Sequence, residues 1–236
     1  SWVTTLPRWI GWHGWSGHDC AARRAPQAYR RPDDIDHGAR MMGRKRGLSL
    51  EQVVEAAADV ADRDGLDALS LASVASALGV RSPSLYSHVE GLPGLRRQLS
   101  IHASTLLTAE VADAAEGLES TQALAAIATQ LRSFAHCHPG LYASLLPAPT
   151  PEDDPQLAAA LGRPATVVAS VLAQMGIDPA TVVPLIRALR ASVHGFVHLE
   201  LNGGFGLPHD VDDSFATTID LVIDAIASHA PARDSP

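Results

Sequence analysis

Aromatic side chains are scarce in this chain: Phe, Trp and Tyr together make up 5% of its 236 residues. All four tryptophans, Trp2, Trp9, Trp12 and Trp15, fall within the first fifteen positions. β-Branched residues are also sparse outside a few short runs, so the side chains that sheets favour are largely missing. The two cysteines, Cys20 and Cys137, are too few for a disulfide framework, and a reducing cytoplasm is the expected compartment. No apolar run approaches the roughly 18 residues of a membrane span, so no membrane partner is expected. The sequence holds no Gly-rich phosphate loop, nucleophile elbow or pair of catalytic carboxylates. Neither an enzyme nor a cofactor is expected on those grounds.

Alanine and leucine recur throughout, and hydrophobic residues reach 46%, which points to a helical globular protein. Residues 1–42 differ from the rest. Tryptophan, glycine and histidine without a clean period give way to an Arg/Asp/Pro-rich stretch. The segment reads as a poorly ordered extension, with a Trp- and His-rich binding arm as the other reading. From residue 48 a helical period takes over. Leu50, Val53, Val54, Ala57 and Ala61 share one face, with Ser49 and Gln52 spaced as a capping box and Gly65 as the stop. Ser70 caps a second stripe of Leu71, Val74, Ala75 and Leu78, closed by Gly79. Ser82 caps a third, short helix with Pro83 at its first position. A fourth helix carries Leu92, Leu95, Leu99, Ala103 and Leu106. Further helices are expected from Ser120 to about Cys137, Gln156 to Met175, Ala180 to Leu201 and Val211 to Ser228. A short apolar turn spans Leu141–Leu146.

Net charge is −8, and its distribution is uneven. Residues 1–40 balance to +2, residues 41–102 to 0, and residues 103–236 to −10. The second half would repel phosphate, so any nucleic-acid contact must come from the first.

The most informative segment is 70–91, SLASVASALGVRSPSLYSHVEG. Two short helices joined by a tight Gly-Val-Arg turn match a helix-turn-helix, whose second helix enters the DNA major groove. A helix offered by its N-terminus presents free N–H groups to phosphate, and small residues such as Ser82 and Ser84 allow close approach. Arg81 suits a guanine or phosphate contact, and Tyr86 and His88 suit phosphate oxygens. Leu85 and Val89 point inward to hold the helix on its core. Ser70, Leu85 and Ser87 complete the candidate interface, with Arg44, Lys45 and Arg46 as a basic arm ahead of the first helix. Two short helices joined by glycine also occur in ordinary bundles, where Tyr86 would be a packing residue.

The stretch LSLASVASALGVRSPSLYSHVEGLPGL resembles the DNA-binding domain of the tetracycline-repressor-like (TetR) family of transcriptional regulators, over residues 48–107. A weaker likeness runs through SVHGFVHLELNGGF at 192–205, which looks like the ligand-binding domain of a branch with a His-Gly-containing helix. The resemblance implies an all-α protein: a helix-turn-helix domain at 43–95 and a helical effector-binding and dimerisation domain at 96–230. It also implies a homodimer paired through its last two helices, binding a palindromic operator in double-stranded DNA and released by a small-molecule effector. Leu92 stands where many relatives place a phosphate-binding Lys, with Arg96 or Arg97 as a substitute. Ser87 likewise lacks a charge that would strengthen the attraction.

Two apolar faces offer dimer surface or core: Leu185, Ile186, Leu189, Val193 and Val197 on one helix, Phe215, Ile219, Val222 and Ile226 on the other. By the same resemblance, Phe134, Leu141, Tyr142, Val168, Leu172, His194, Phe196 and His198 are candidates to line an effector pocket, each also plausible as plain core. His194 and His198 have the i, i+4 spacing of a metal pair, but Glu200 lies on another side of the helix from His194. His136-Cys137-His138 splay apart on a helix, and His13, His18 and Cys20 lack a scaffold, so no metal is expected. The expected function is a ligand-responsive repressor. The alternative is an α-helical small-molecule- or metal-binding protein that never touches DNA.

Overall fold

A computed structural model describes residues 48–146, 150 and 152–231. The extension, the basic arm Arg44–Arg46 and residues 147–149, 151 and 232–236 lie outside the described residues. Among the described residues every regular element is helical. The α-helices are α1 (Leu50–Asp64), α2 (Leu71–Ala77), α3 (Gly91–Ala115), α4 (Ser120–Cys137), α5 (Pro139–Ser144), α6 (Pro155–Gln174), α7 (Pro179–Leu201) and α8 (Val211–Ala227). Two 3-10 pieces, Leu66–Ala68 and Ser82–Ser87, complete the set.

Local chemistry places the head, the segment from α1 to the start of α3; the remaining helices form the body. Ser49 Oγ accepts the Gln52 N–H at 3.2 Å while Gln52 Oε1 accepts the Ser49 N–H at 3.0 Å, so the expected capping box starts α1. Ser70 and Ser73 build a second box at the start of α2, both bonds at 3.0 Å. Gly79, at φ +65°, lets the chain leave α2 through paired bonds from Gly79 N–H to Ser76 and from Val80 N–H to Ala75. Leu50, expected on the apolar face of α1, is instead exposed; Val53, Val54, Ala57, Val60 and Ala61 fill the core.

The third helix departs from expectation. Ser82–Ser87 is a 3-10 helix, Arg81 holds the cap position, and no side chain caps it. Ser87 Oγ donates to the Ser84 carbonyl at 2.9 Å, and Gly91, at φ +68°, turns the chain into α3 soon afterwards.

α3 runs unbroken across the expected boundary at 95/96. Leu95 and Leu99 anchor its beginning in the head, and Leu107 and Val111 its end among α4 and α6. Head and body also meet at α5. Asp62 Oδ1 accepts the N–H groups of Gly140 and Leu141, both at 3.0 Å, and Asp62 Oδ2 lies 2.7 Å from His138 Nδ1. A Cβ on Gly140 would come within 2.2 Å of the Ala61 carbonyl, so glycine is required for this approach.

α6 has the length and composition of a membrane span, with a mean hydropathy of 1.3, contrary to the expectation from apolar runs. It packs along α3, accepting a bond from Ser104 Oγ at the Ala160 carbonyl and burying Val168, Val171 and Leu172.

Candidate nucleic-acid interface and effector cavity

The 3-10 helix is held from behind and open in front. Leu85 is 0% exposed beneath it, so Leu85 positions the segment and, contrary to expectation, presents no side chain for contact. Tyr86 is 63% exposed, and Arg81, Ser84 and Ser87 are exposed beside it. Ser82 and His88 are half-buried. Ser87 Oγ uses its proton on Ser84, and Ser70 is occupied with its capping box, leaving Arg81, Ser84 and Tyr86 as the uncommitted outward groups.

Of the two arginines expected to replace the missing lysine, only one is available. Arg97 is bound bidentately by Asp154, at 2.6 and 3.0 Å, and also donates to Gln156 at 2.9 Å. Arg96 is exposed and makes one long bond, 3.3 Å, to the Leu66 carbonyl.

In the body, Arg132 draws α4, α7 and α8 together. It donates to Glu200 and Asp212 at 2.5 and 2.6 Å and lies over the Phe215 ring at 4.8 Å. Burial opposes its charge, but the bonds to both carboxylates outweigh that and raise its pKa. His136 Nε2 lies 2.9 Å from Glu200 Oε2, so Glu200 is engaged with α4. Among the described residues no group of three His, Cys, Asp or Glu stands close enough to hold a metal.

A cavity of about 90 Å³ lies between α3, α4, α5, α6 and α7. Three of the eight expected lining residues reach it: Tyr142, Val168 and His194. Phe134, Leu141, Leu172 and Phe196 are buried core elsewhere, and His198 is exposed. The expectation missed Leu107, Ile127, Leu161, Ile186, Leu189 and Arg190, among others. Periodicity marked them as apolar or polar, but which face meets the void depends on how five helices cross. Tyr142 Oη and His194 Nδ1 are 3.0 Å apart. Burial pushes the Tyr142 hydroxyl up to about 12, and burial, Arg190 and His198 together lower His194.

The regulator Rv0681 of Mycobacterium tuberculosis, an HTH-type transcriptional regulator, is 33% identical to this chain over 203 residues, 86% of this chain and 91% of its own length. Residues 124–222 match the family model described as the tetracyclin repressor-like C-terminal domain. The chain belongs to the TetR family. It is a DNA-binding transcriptional regulator, not an enzyme. A second HTH-type regulator, YobS of Bacillus subtilis, is 30% identical over 75% of this chain and 92% of its own length. A TetR regulator from Streptomyces coelicolor shares the fold, with a TM-score of 0.63 at 21% identity over 78% of this chain and all of its own. TetR membership sets aside the alternative of a helical protein that never touches DNA.

Proposed function

We propose that this TetR-family protein represses transcription as a homodimer, reading a palindromic operator with Arg81, Ser84 and Tyr86 and releasing it when a small molecule fills the cavity. The observation that carries this reading is the two-sided 3-10 helix, with Leu85 fully buried beneath it and Tyr86 63% exposed above. The apolar faces first considered for pairing are unsuited: Leu185, Leu189, Val193, Val197, Phe215, Ile219 and Ile226 are buried within the subunit's own core. Support for a dimer comes from the opposite side of α7, where Pro184, Ala188, Ala191, Gly195 and Leu199 are exposed at helical spacing. No neighbouring atom lies within 4 Å of a Cβ placed on Gly195, so a partner helix can approach closely there. Leu221, 68% exposed on α8, extends the surface. A dimer would set two reading segments about 34–36 Å apart, one helical turn of DNA.

Repression accords with the repressor DrrR1 of Streptomyces coeruleorubidus, 49% identical over 49 residues. Release by a ligand accords with a TetR variant of Acinetobacter baumannii solved in complex with minocycline, similar in fold with a TM-score of 0.59. The test is fluorescence anisotropy on DNA flanking the coding region. Arg81→Ala and Tyr86→Ala should each weaken binding by about 1–3 kcal/mol with unchanged melting. Affinity should fall steeply with salt. Full operator affinity in both variants would refute the reading of this segment.

A further inference from the structure

Three arginines in the described residues pair with acids: Arg63 with Asp64, Arg97 with Asp154, and Arg132 with Glu200 and Asp212. Arg190 does not. Its guanidinium makes one hydrogen bond, a 3.3 Å contact to the Leu145 carbonyl. No Asp or Glu lines the cavity with it. Beside it stand Tyr142 and His194, hydrogen-bonded to each other. If the Tyr142 hydroxyl donates to Nδ1, the imidazole keeps an N–H on Nε2. If Nδ1–H donates instead, the phenol keeps its O–H. Either way one proton remains for an acceptor. The rest of the wall is apolar, with Leu107, Ile127, Val168 and Leu189 from four different helices.

We propose that the cavity takes a compact apolar acid, its anionic oxygens on Arg190 and on the free donor of the Tyr142–His194 pair, its body against the apolar wall. The inference rests on reading this cavity as the effector site. A carboxylate supplies the planar partner a guanidinium binds best, and it removes an unmatched cation from an apolar rim. The volume of about 90 Å³ is well below the roughly 300–1,000 Å³ of pockets for drug-sized ligands, which favours a single ring or a short chain.

Benzoate and benzamide separate charge from shape. Titration calorimetry on the full chain should show benzoate binding about tenfold or more tightly than benzamide. Arg190→Gln should remove that preference and leave benzamide unchanged, while Arg190→Lys should keep part of it. Benzoate, and not benzamide, should release operator DNA at the same concentration. Equal binding of the two probes, or full benzoate preference in Arg190→Gln, would overturn the acid while leaving the cavity as an effector site. If Val168→Phe, which fills the cavity, leaves benzoate affinity unchanged, or if neither probe binds, both the acid and the cavity reading fail.

Discussion

Arg81 and Arg132 carry the same guanidinium in opposite circumstances. Arg132 sits in the body with its side chain 10% exposed, bound to two carboxylates and laid over Phe215. Arg81 stands in the head, exposed at the cap of a 3-10 helix whose own side chains do not bond it. A charge committed inside the fold holds helices together. One left uncommitted at the end of a well-anchored segment is free for a partner. The two arginines mark the two uses: at the reading segment a polar group is kept at the surface over buried Leu85, and among α4, α7 and α8 it is spent in a tie between helices.

The sharpest way to break that contrast is to remove Arg132. Arg132→Ala leaves Glu200 and Asp212 partly buried without their cation, and should cost about 3–5 kcal/mol in urea unfolding. An effect near zero would place Arg132 with the surface arginines. Leu85→Ala should cost about 2–5 kcal/mol, because a fully buried leucine leaves a cavity. Tyr86→Ala, the adjacent change, should stay within about 0.5 kcal/mol of the parent stability. Similar losses for the two would erase the distinction between the anchored and offered faces of the segment.

Gly140→Ala tests the joint between the regions. The added Cβ meets the Ala61 backbone, which cannot rotate away, so about 1–3 kcal/mol of destabilisation is expected in thermal melts. The smallest effect concerns Arg97 and Asp154, which tie α3 to the start of α6. The Arg97 guanidinium, with the Leu157 N–H, holds the Asp154 carboxyl down at about 2, below its ordinary 3.8. Because the folded pKa is the lower, the contribution is complete above the ordinary value and is lost as pH falls towards 2. The melting difference between the parent chain and Asp154→Asn should therefore shrink between pH 4 and 2. A constant difference would show the carboxylate does not titrate with folding.

Much of the head is legible in the residue order because its determinants are local. Ser49 with Gln52, Ser70 with Ser73, and Gly79 decide helix ends within a few positions of themselves. Tyr86 and Leu85 diverge because neighbouring residues on a short helix point to different sides. The type of the third helix was not legible: Ser82–Ser87 follows a 3-10 path, with Ser87 Oγ bonded to the Ser84 carbonyl. In the body the residue order marked apolar positions but not their neighbours. Leu189 and Phe196 look alike in sequence, yet Leu189 lines the cavity and Phe196 packs on Phe205 and Phe215.

Residue order alone specified the helical class, the cap-defined ends of α1 and α2 and the outward serine- and tyrosine-bearing segment, because those rest on contacts a few residues long. Packing in three dimensions ties Arg97 to Asp154, joins three helices through Arg132, and sets Arg190 at the cavity. Those outcomes depend on side chains far apart in the chain meeting across crossing helices, and no local pattern encodes where the crossings fall.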